Sequence, residues 1–221
     1  MIPIRDINPV ERLPIVTLTL LFFFVAVFVY QKFIGADNYS LLLDWGFYPD
    51  NPLRQIPLAT TTVTYIFLHG GWLHLLSNML YLWIFADNVE DSMGHLPFVI
   101  FFCLCGIAAA LLQAFMEPDT GRATIGASGA VSGVLGAYLL RYPRAEMSIV
   151  VPVFVIIDIV RLPAWVFIVA WFLLQLLLAS NTISTASGIA FGAHVGGFIA
   201  GLVLAPLFWL GRLRSHPAGG A

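Results

Sequence analysis

Long apolar runs, each closed by charge or by Pro and Gly, divide this chain into six helix-length segments at about 14–33, 72–89, 96–115, 127–141, 163–180 and 191–210. A hydrocarbon layer is crossed by about 20 residues of helix, so the pattern predicts six spans. Between the first two, the stretch from Gly35 to Gly71 is broken by Pro49, Pro52 and Pro57 and carries Asp37, Asp44, Asp50 and Arg54. Its Leu41, Leu42, Leu43, Trp45, Phe47 and Tyr48 predict short helices at the membrane interface, where aromatic rings with polar tips are favoured. The run from Met147 to Arg161 is apolar but contains Pro152 and Asp158 and is followed by Pro163. It reads as an interfacial or re-entrant element. If it spanned instead, there would be seven helices. The run Ile15 to Tyr30, preceded by Arg5 and Arg12, has the outline of a signal peptide, but no Ala-x-Ala site follows, so it is expected to stay as the first span.

Composition points the same way. Of the 221 residues 60% are hydrophobic and 10% charged, with a mean hydropathy of +0.91, whereas soluble domains are about 45–50% apolar and about 25% charged. The expectation is an all-α integral membrane protein, a six-helix bundle forming one domain over residues 1–221. A net charge of −2 and a pI near 6.2 leave no basic stripe for nucleic acid, which is excluded as a partner. Cys103 and Cys105 lie two apart in an apolar run, a spacing that suits neither a disulfide nor a metal pair. With six spans, seven of the ten Lys and Arg fall on one side (Arg5, Arg12, Arg141, Arg144, Arg161, Arg212 and Arg214) and Lys32, Arg54 and Arg122 on the other. By the positive-inside rule both termini are cytoplasmic.

Against this apolar background four polar side chains stand out: His74, Asn78, Ser128 and His194. Polar groups at membrane depth are costly and mark function or polar contact between helices. Ser128 sits in Gly126-Ala127-Ser128-Gly129 at the start of the fourth segment, where free N–H groups and the helix dipole can hold a developing oxyanion. A serine is a poor nucleophile without an adjacent base, and His194 is the base candidate of the last two spans. His74 and Asn78, four apart, share one helix face and can both donate hydrogen bonds. The plainer readings are a packing serine, a histidine bonded to a carbonyl and a polar clasp between helices. A metal site among His69, His74 and His194 has no carboxylate at ligand spacing to support it. Ser128 and His194 can meet only through helix packing. Gly129, Gly133, Gly136 and Ala137 are expected to face Gly192, Gly196, Gly197, Ala200 and Gly201 by the small-xxx-small pattern. Asp158, Glu90 and Asp91 fall at helix ends away from His194, so a Ser-His dyad without an acid is expected, with Glu90 tying the end of the second span to a backbone N–H or an arginine.

The stretches Phe67-Leu68-His69-Gly70-Gly71-Trp72-Leu73-His74-Leu75-Leu76-Ser77-Asn78-Met79, Gly126-Ala127-Ser128-Gly129-Ala130-Val131-Ser132-Gly133 and Ala193-His194-Val195-Gly196-Gly197 with Gly201 together resemble the rhomboid family of intramembrane serine proteases, over about residues 60 to 205. The resemblance implies a six-helix bundle in which Ser128 attacks a peptide carbonyl, His194 shuttles the proton, and His74, Asn78 and the Ser128 N–H form the oxyanion hole. Gly126, Gly129 and Gly197 shape the site, and about 181–190 forms a mobile cap over it. Two departures are visible: the aromatic residue that several rhomboids carry four places after the serine is Ser132 here, and Thr60 and Thr61 stand near the place of the usual Trp-Arg pair.

The implied activity is cleavage of transmembrane protein substrates in or beside their membrane helices, within a lipid bilayer, without cofactor or metal. The inner (plasma) membrane is the expected location. Two rivals are an inactive rhomboid-like protein that binds membrane clients and a small transporter that relays protons through histidines. Oligomeric state, physiological substrate and cleavage preference have no signature in the chain.

Overall fold

The computed structural model describes residues 2–35, 38–50, 55–118, 121–153, 156–179 and 189–209. Its first helix, α1 (Ile15–Phe33), has no cap of its own. The missing partner comes from α4 (Trp72–Met93): the buried Glu90 carboxylate accepts the backbone N–H groups of Val16 and Thr17, both at 2.8 Å, and the Thr17 hydroxyl at 2.7 Å. Two orphan donors are satisfied and a negative charge faces the positive end of α1. The tie expected of Glu90 is therefore to backbone N–H groups. His95 Nδ1 lies 2.6 Å from the same carboxylate.

Short helices α2 (Asn38–Trp45) and α3 (Leu58–Thr64), the latter running into a 3-10 turn at Tyr65–Phe67, fill the first loop as expected. A single residue, Gly94 at φ +90°, separates α4 from α5 (His95–Met116); a side chain there would be strained, so glycine permits the abrupt reversal. The next helix, α6 (Ser128–Arg141), is buried from Gly129 through Tyr138 and forms the axis of the bundle. Outside it stand α7 (Ala164–Ala179) and α8 (Phe191–Trp209). The helices therefore fall within a few residues of the six segments expected. Among the described residues α1, α5 and α8 are long and apolar enough to cross a membrane. Side chains such as Phe22, Leu73, Trp83, Phe115, Leu177 and Val203 point outward, away from the core, as a lipid-facing surface requires.

The seam between α6 and α8 is built from glycine. A Cβ on Gly197 would overlap the carbonyl of Gly129, and one on Gly201 the carbonyl of Gly133. One added to Gly136 would sit 2.6 Å from the Phe198 carbonyl oxygen. Backbone thus meets backbone at successive turns, the close approach that small residues permit. The expected facing needs one correction. Gly192 and Gly196 turn toward α5, where added Cβ atoms would come within 2.7 Å of Gln113 Oε1 and 2.8 Å of Leu112 Cβ. On a helix, residues 196 and 197 point about 100° apart, so one glycine pair serves each neighbour.

The all-α expectation also needs correction. Residues 147–153 and 156–161 are strand and not helix, so the run is not a seventh spanning helix. They belong to a hairpin of β2 (Glu146–Val153) and β3 (Ile156–Pro163), to which β1 (Ile2–Asp6) adds antiparallel in the order β1-β2-β3. Register runs from Glu146 opposite Pro163 to Val153 opposite Ile156, with Ile2 opposite Val150 and Asp6 opposite Met147. The physical reason is β-branching with a period of two: Met147 and Ile149 are buried while Ser148 and Val150 are partly exposed.

The sheet is bolted to the helix ends through Asp6. Its carboxylate accepts the Tyr138 hydroxyl at 2.6 Å and an Asn88 Nδ2–H at 3.0 Å, while Asn8 Nδ2 donates to Asn88 Oδ1. Burial raises the Asp6 pKa above the usual carboxylate value, with the Tyr138 hydrogen bond opposing. Residues 2–8, the last turns of α4 and α6 and the hairpin therefore share one side of the bundle. Ser128 lies at the other end of α6.

Candidate active site

The approach to Ser128 is held on both sides. Phe47 and Thr124 form an antiparallel bridge, with N–H to carbonyl distances of 2.9 and 2.8 Å, and the Gly126 N–H donates to the Tyr65 carbonyl at 2.9 Å. Gly126 then takes φ +109°, a conformation side chains avoid, and turns the chain into α6. Its bare Cα faces the His74 imidazole: an added Cβ would run into His74 Nε2, lie 2.5 Å from Cε1 and 3.6 Å from Asn78 Nδ2. This one glycine brings the second span's polar pair against the start of the serine helix.

His74 and Asn78 are presented as donors. The Gly70 N–H points to His74 Nδ1 at 3.4 Å, so Nδ1 accepts and Nε2, which faces Gly126, carries the proton. Asn78 is buried, and its Nδ2 has no hydrogen-bond partner among the described residues. An orphaned buried amide donor costs about 1–3 kcal/mol and is rare in folded proteins, so Asn78 Nδ2 is a candidate donor to a group bound at the site. Behind His74 stands His69, edge-on with ring centroids 5.2 Å apart. Gln31 clasps its backbone, accepting from the His69 N–H at 3.1 Å and donating to its carbonyl at 3.3 Å. Burial, and secondarily the nearby His74, lowers the His69 pKa to about 4, so this ring is neutral at physiological pH.

Ser128 and His194 line one cavity of about 150 Å³, together with Ser77, Tyr81, Ser132 and Trp171. The α6–α8 seam brings them there: the Ala193 carbonyl would touch a Cβ on Gly129 at 3.4 Å, which places the residues next to Ser128 and His194 in contact. The structure thus gathers all four polar residues singled out in the chain at one end of the bundle, with Gly126, Gly129 and Gly197 at the contacts. The hydrogen bond on the imidazole goes elsewhere than expected. His194 Nδ1 lies 2.7 Å from Gln175 Oε1 of α7, and no direct Ser128–His194 hydrogen bond is formed among the described residues.

Ser132, where the resemblance implies an aromatic residue, spends its hydroxyl on the Ser128 carbonyl at 2.6 Å. The ring is flanked instead by Trp171, tilted 34° at 6.0 Å between centroids, and by Phe191, edge-on at 6.0 Å. Gln113 of α5 accepts the Ala193 N–H at 3.0 Å, at the buried start of α8. Sequence reasoning missed Gln175, Trp171, Phe191 and Gln113. The signal for the glutamines was present: each is a polar side chain inside an apolar helix. The expected cap at 181–190 falls largely outside the described residues.

Fold and site together define a multi-pass helical membrane protein that carries a serine and a histidine on a shared cavity. The Rhomboid domain profile matches residues 59–211, and the chain belongs to the rhomboid family. It is 31% identical over 184 residues to "Rhomboid-like protease 5" of Toxoplasma gondii, covering 81% of this chain and 19% of that protein. To "RHOMBOID-like protein 5" of Arabidopsis thaliana it is 34% identical over 77 residues, 35% of this chain and 25% of the relative. To the mitochondrial "Presenilin-associated rhomboid-like protein" of Mus musculus it is 26% identical over 161 residues, 71% of this chain and 40% of the relative. The chain thus spans less than half the length of these relatives.

Proposed function

We propose that this protein is an intramembrane serine protease that cleaves membrane protein substrates within or next to their transmembrane helices. The observation that carries the reading is the shared cavity of Ser128 and His194 beside a buried Asn78 amide that lacks an acceptor. Ser128 Oγ attacks the scissile carbonyl as its proton passes to His194 Nε2, giving a tetrahedral oxyanion. Asn78 Nδ2–H, His74 Nε2–H and the Ser128 N–H at the helix start stabilise that charge. Collapse of the intermediate returns the proton to the leaving amine and leaves an acyl-serine, which water hydrolyses by the same exchange. Both side chains of the dyad stand on the wall of the same cavity.

The reading includes six spans, α1, α4, α5, α6, α7 and α8, with both termini on the side richer in Lys and Arg. At 1.5 Å per residue the 14 residues of α6 cover about 21 Å of a hydrocarbon layer about 30 Å thick. Starting below the far surface, α6 sets Ser128 at membrane depth, where the cavity brings water. A substrate helix must unwind there to free a carbonyl. The test is cleavage of a panel of single-span substrates by purified protein in proteoliposomes, with the cut mapped by mass. Ser128→Ala must abolish cleavage while the protein still accumulates in the membrane. Normal cleavage by Ser128→Ala would remove Ser128 as the nucleophile and end the proposal; no cleavage by wild type, with no labelling of Ser128 by a serine-directed fluorophosphonate, would leave the client-binding reading in its place.

A further inference from the structure

We propose that Gln175 is the positioning residue for His194, a neutral amide standing where serine hydrolases of the triad type place a carboxylate. This rests on the reading of His194 as the general base. Three observations carry it. Gln175 is the one amide of Ala164–Ala179, standing in an otherwise apolar helix. Burying an amide without a partner costs several kcal/mol in such surroundings. It is buried, and its Oε1 lies 2.7 Å from His194 Nδ1. Trp171, one turn earlier on the same face of α7, lies against the same imidazole.

The chemistry follows from proton counting. A carboxamide oxygen only accepts, so the bond requires a proton on Nδ1. A neutral imidazole has one ring proton, so Nε2 is left with a bare lone pair, the form a base needs to take the serine proton. The flanking rings of Trp171 and Phe191 limit tilting, and the amide limits rotation. The opposite arrangement, with the amide N–H₂ donating to Nδ1, would put the proton on Nε2 and leave no base toward Ser128. A mere clasp between α7 and α8 would serve stability with either tautomer.

The experiment compares wild type, Gln175→Leu, the near-isosteric Gln175→Met and the acceptor-retaining Gln175→Glu, each purified full length in bilayers. Nitrogen-15 NMR of the His194 ring reads the tautomer, and cleavage of a single-span substrate gives kcat and KM separately. We expect wild type and Gln175→Glu to hold Nδ1–H. The Leu and Met variants should move toward Nε2–H, with kcat falling roughly 10- to 100-fold at a KM within about twofold of wild type, part of the about 10²- to 10⁴-fold that a placed general base contributes. An Nε2–H ring in wild type, or Leu and Met variants with unchanged tautomer and kcat, would overturn the proposal. Because the wild-type spectrum alone can do so, instability of a variant does not rescue it. If wild type cleaves nothing, yet the tautomer shifts in the Met variant, the proteolytic reading fails and the positioning role stands.

Discussion

Gly126→Ala is the sharpest perturbation of the site, because it changes neither the nucleophile nor the base. It adds one methyl group at φ +109°, a region in which an L-residue pays about 1–3 kcal/mol. That methyl group would also lie 2.5 Å from His74 Cε1, so the imidazole must retreat by about 1 Å to reach ordinary contact. His74 is an oxyanion donor in the proposed mechanism, and loss of one such donor costs about 10²- to 10³-fold in kcat, or about 2.7–4 kcal/mol. The expected result is a kcat lower by at least about 100-fold, with KM little changed, for a reporter substrate in proteoliposomes. Thermal unfolding in detergent separates this from misfolding. The decisive arm is a double-mutant cycle. In a His74→Ala background the ring that the methyl group would strike is gone, so Gly126→Ala should add only the backbone cost, and the two losses should fall short of multiplying by about tenfold or more. Activity of Gly126→Ala within about threefold of wild type, or fully multiplicative losses, would refute the contact as the cause.

Gly197→Ala should separate α8 from α6, since its methyl group has no room beside the Gly129 carbonyl; a misplacement of about 1 Å between nucleophile and base predicts a loss of about 100-fold in kcat, whereas Gly71→Ala, with nothing within 4 Å of the new atom, should cleave normally in the same assay. Glu90→Ala should lower stability by about 2–4 kcal/mol, because two helix-start N–H groups and the Thr17 hydroxyl lose a charged acceptor, and denaturant titration of the detergent-solubilised protein will read it. For His69 the folded pKa of about 4 lies below the unfolded value of 6.5, so the folded state binds fewer protons and its contribution to stability is lost as pH falls from about 6.5 to about 4. That loss reaches about 3 kcal/mol, and it should appear as the pH-dependent part of the stability difference between wild type and a His69→Gln variant, read by thermal unfolding across that range.

The six helical segments were legible because composition and length decide them, and Ser128, His194, His74 and Asn78 because hydrocarbon makes each polar residue conspicuous. That Gly129 and Gly133 face Gly197 and Gly201 was legible from their spacing, though which glycine meets which was not. The hairpin at Glu146–Pro163 was not, since an apolar run looks alike in a helix and a strand unless β-branching and period-two burial are weighed. Its partner strand at Ile2–Asp6 lies some 140 residues away, and such pairings leave no local trace. Gln175 met the same polar-in-apolar criterion as the four chosen residues. It escaped because a search for acids to orient His194 passes over a neutral amide.

The pairing of Ile2 with Val150 also dictates a schedule during biosynthesis. At about 5–20 residues per second, the first segment is synthesised roughly 7–30 seconds before its partner. Through that interval the backbone donors and acceptors of Ile2–Asp6 that later pair with β2 stay in water or with other partners. Closure of this sheet therefore has the chain's earliest residues waiting for a strand made after α6.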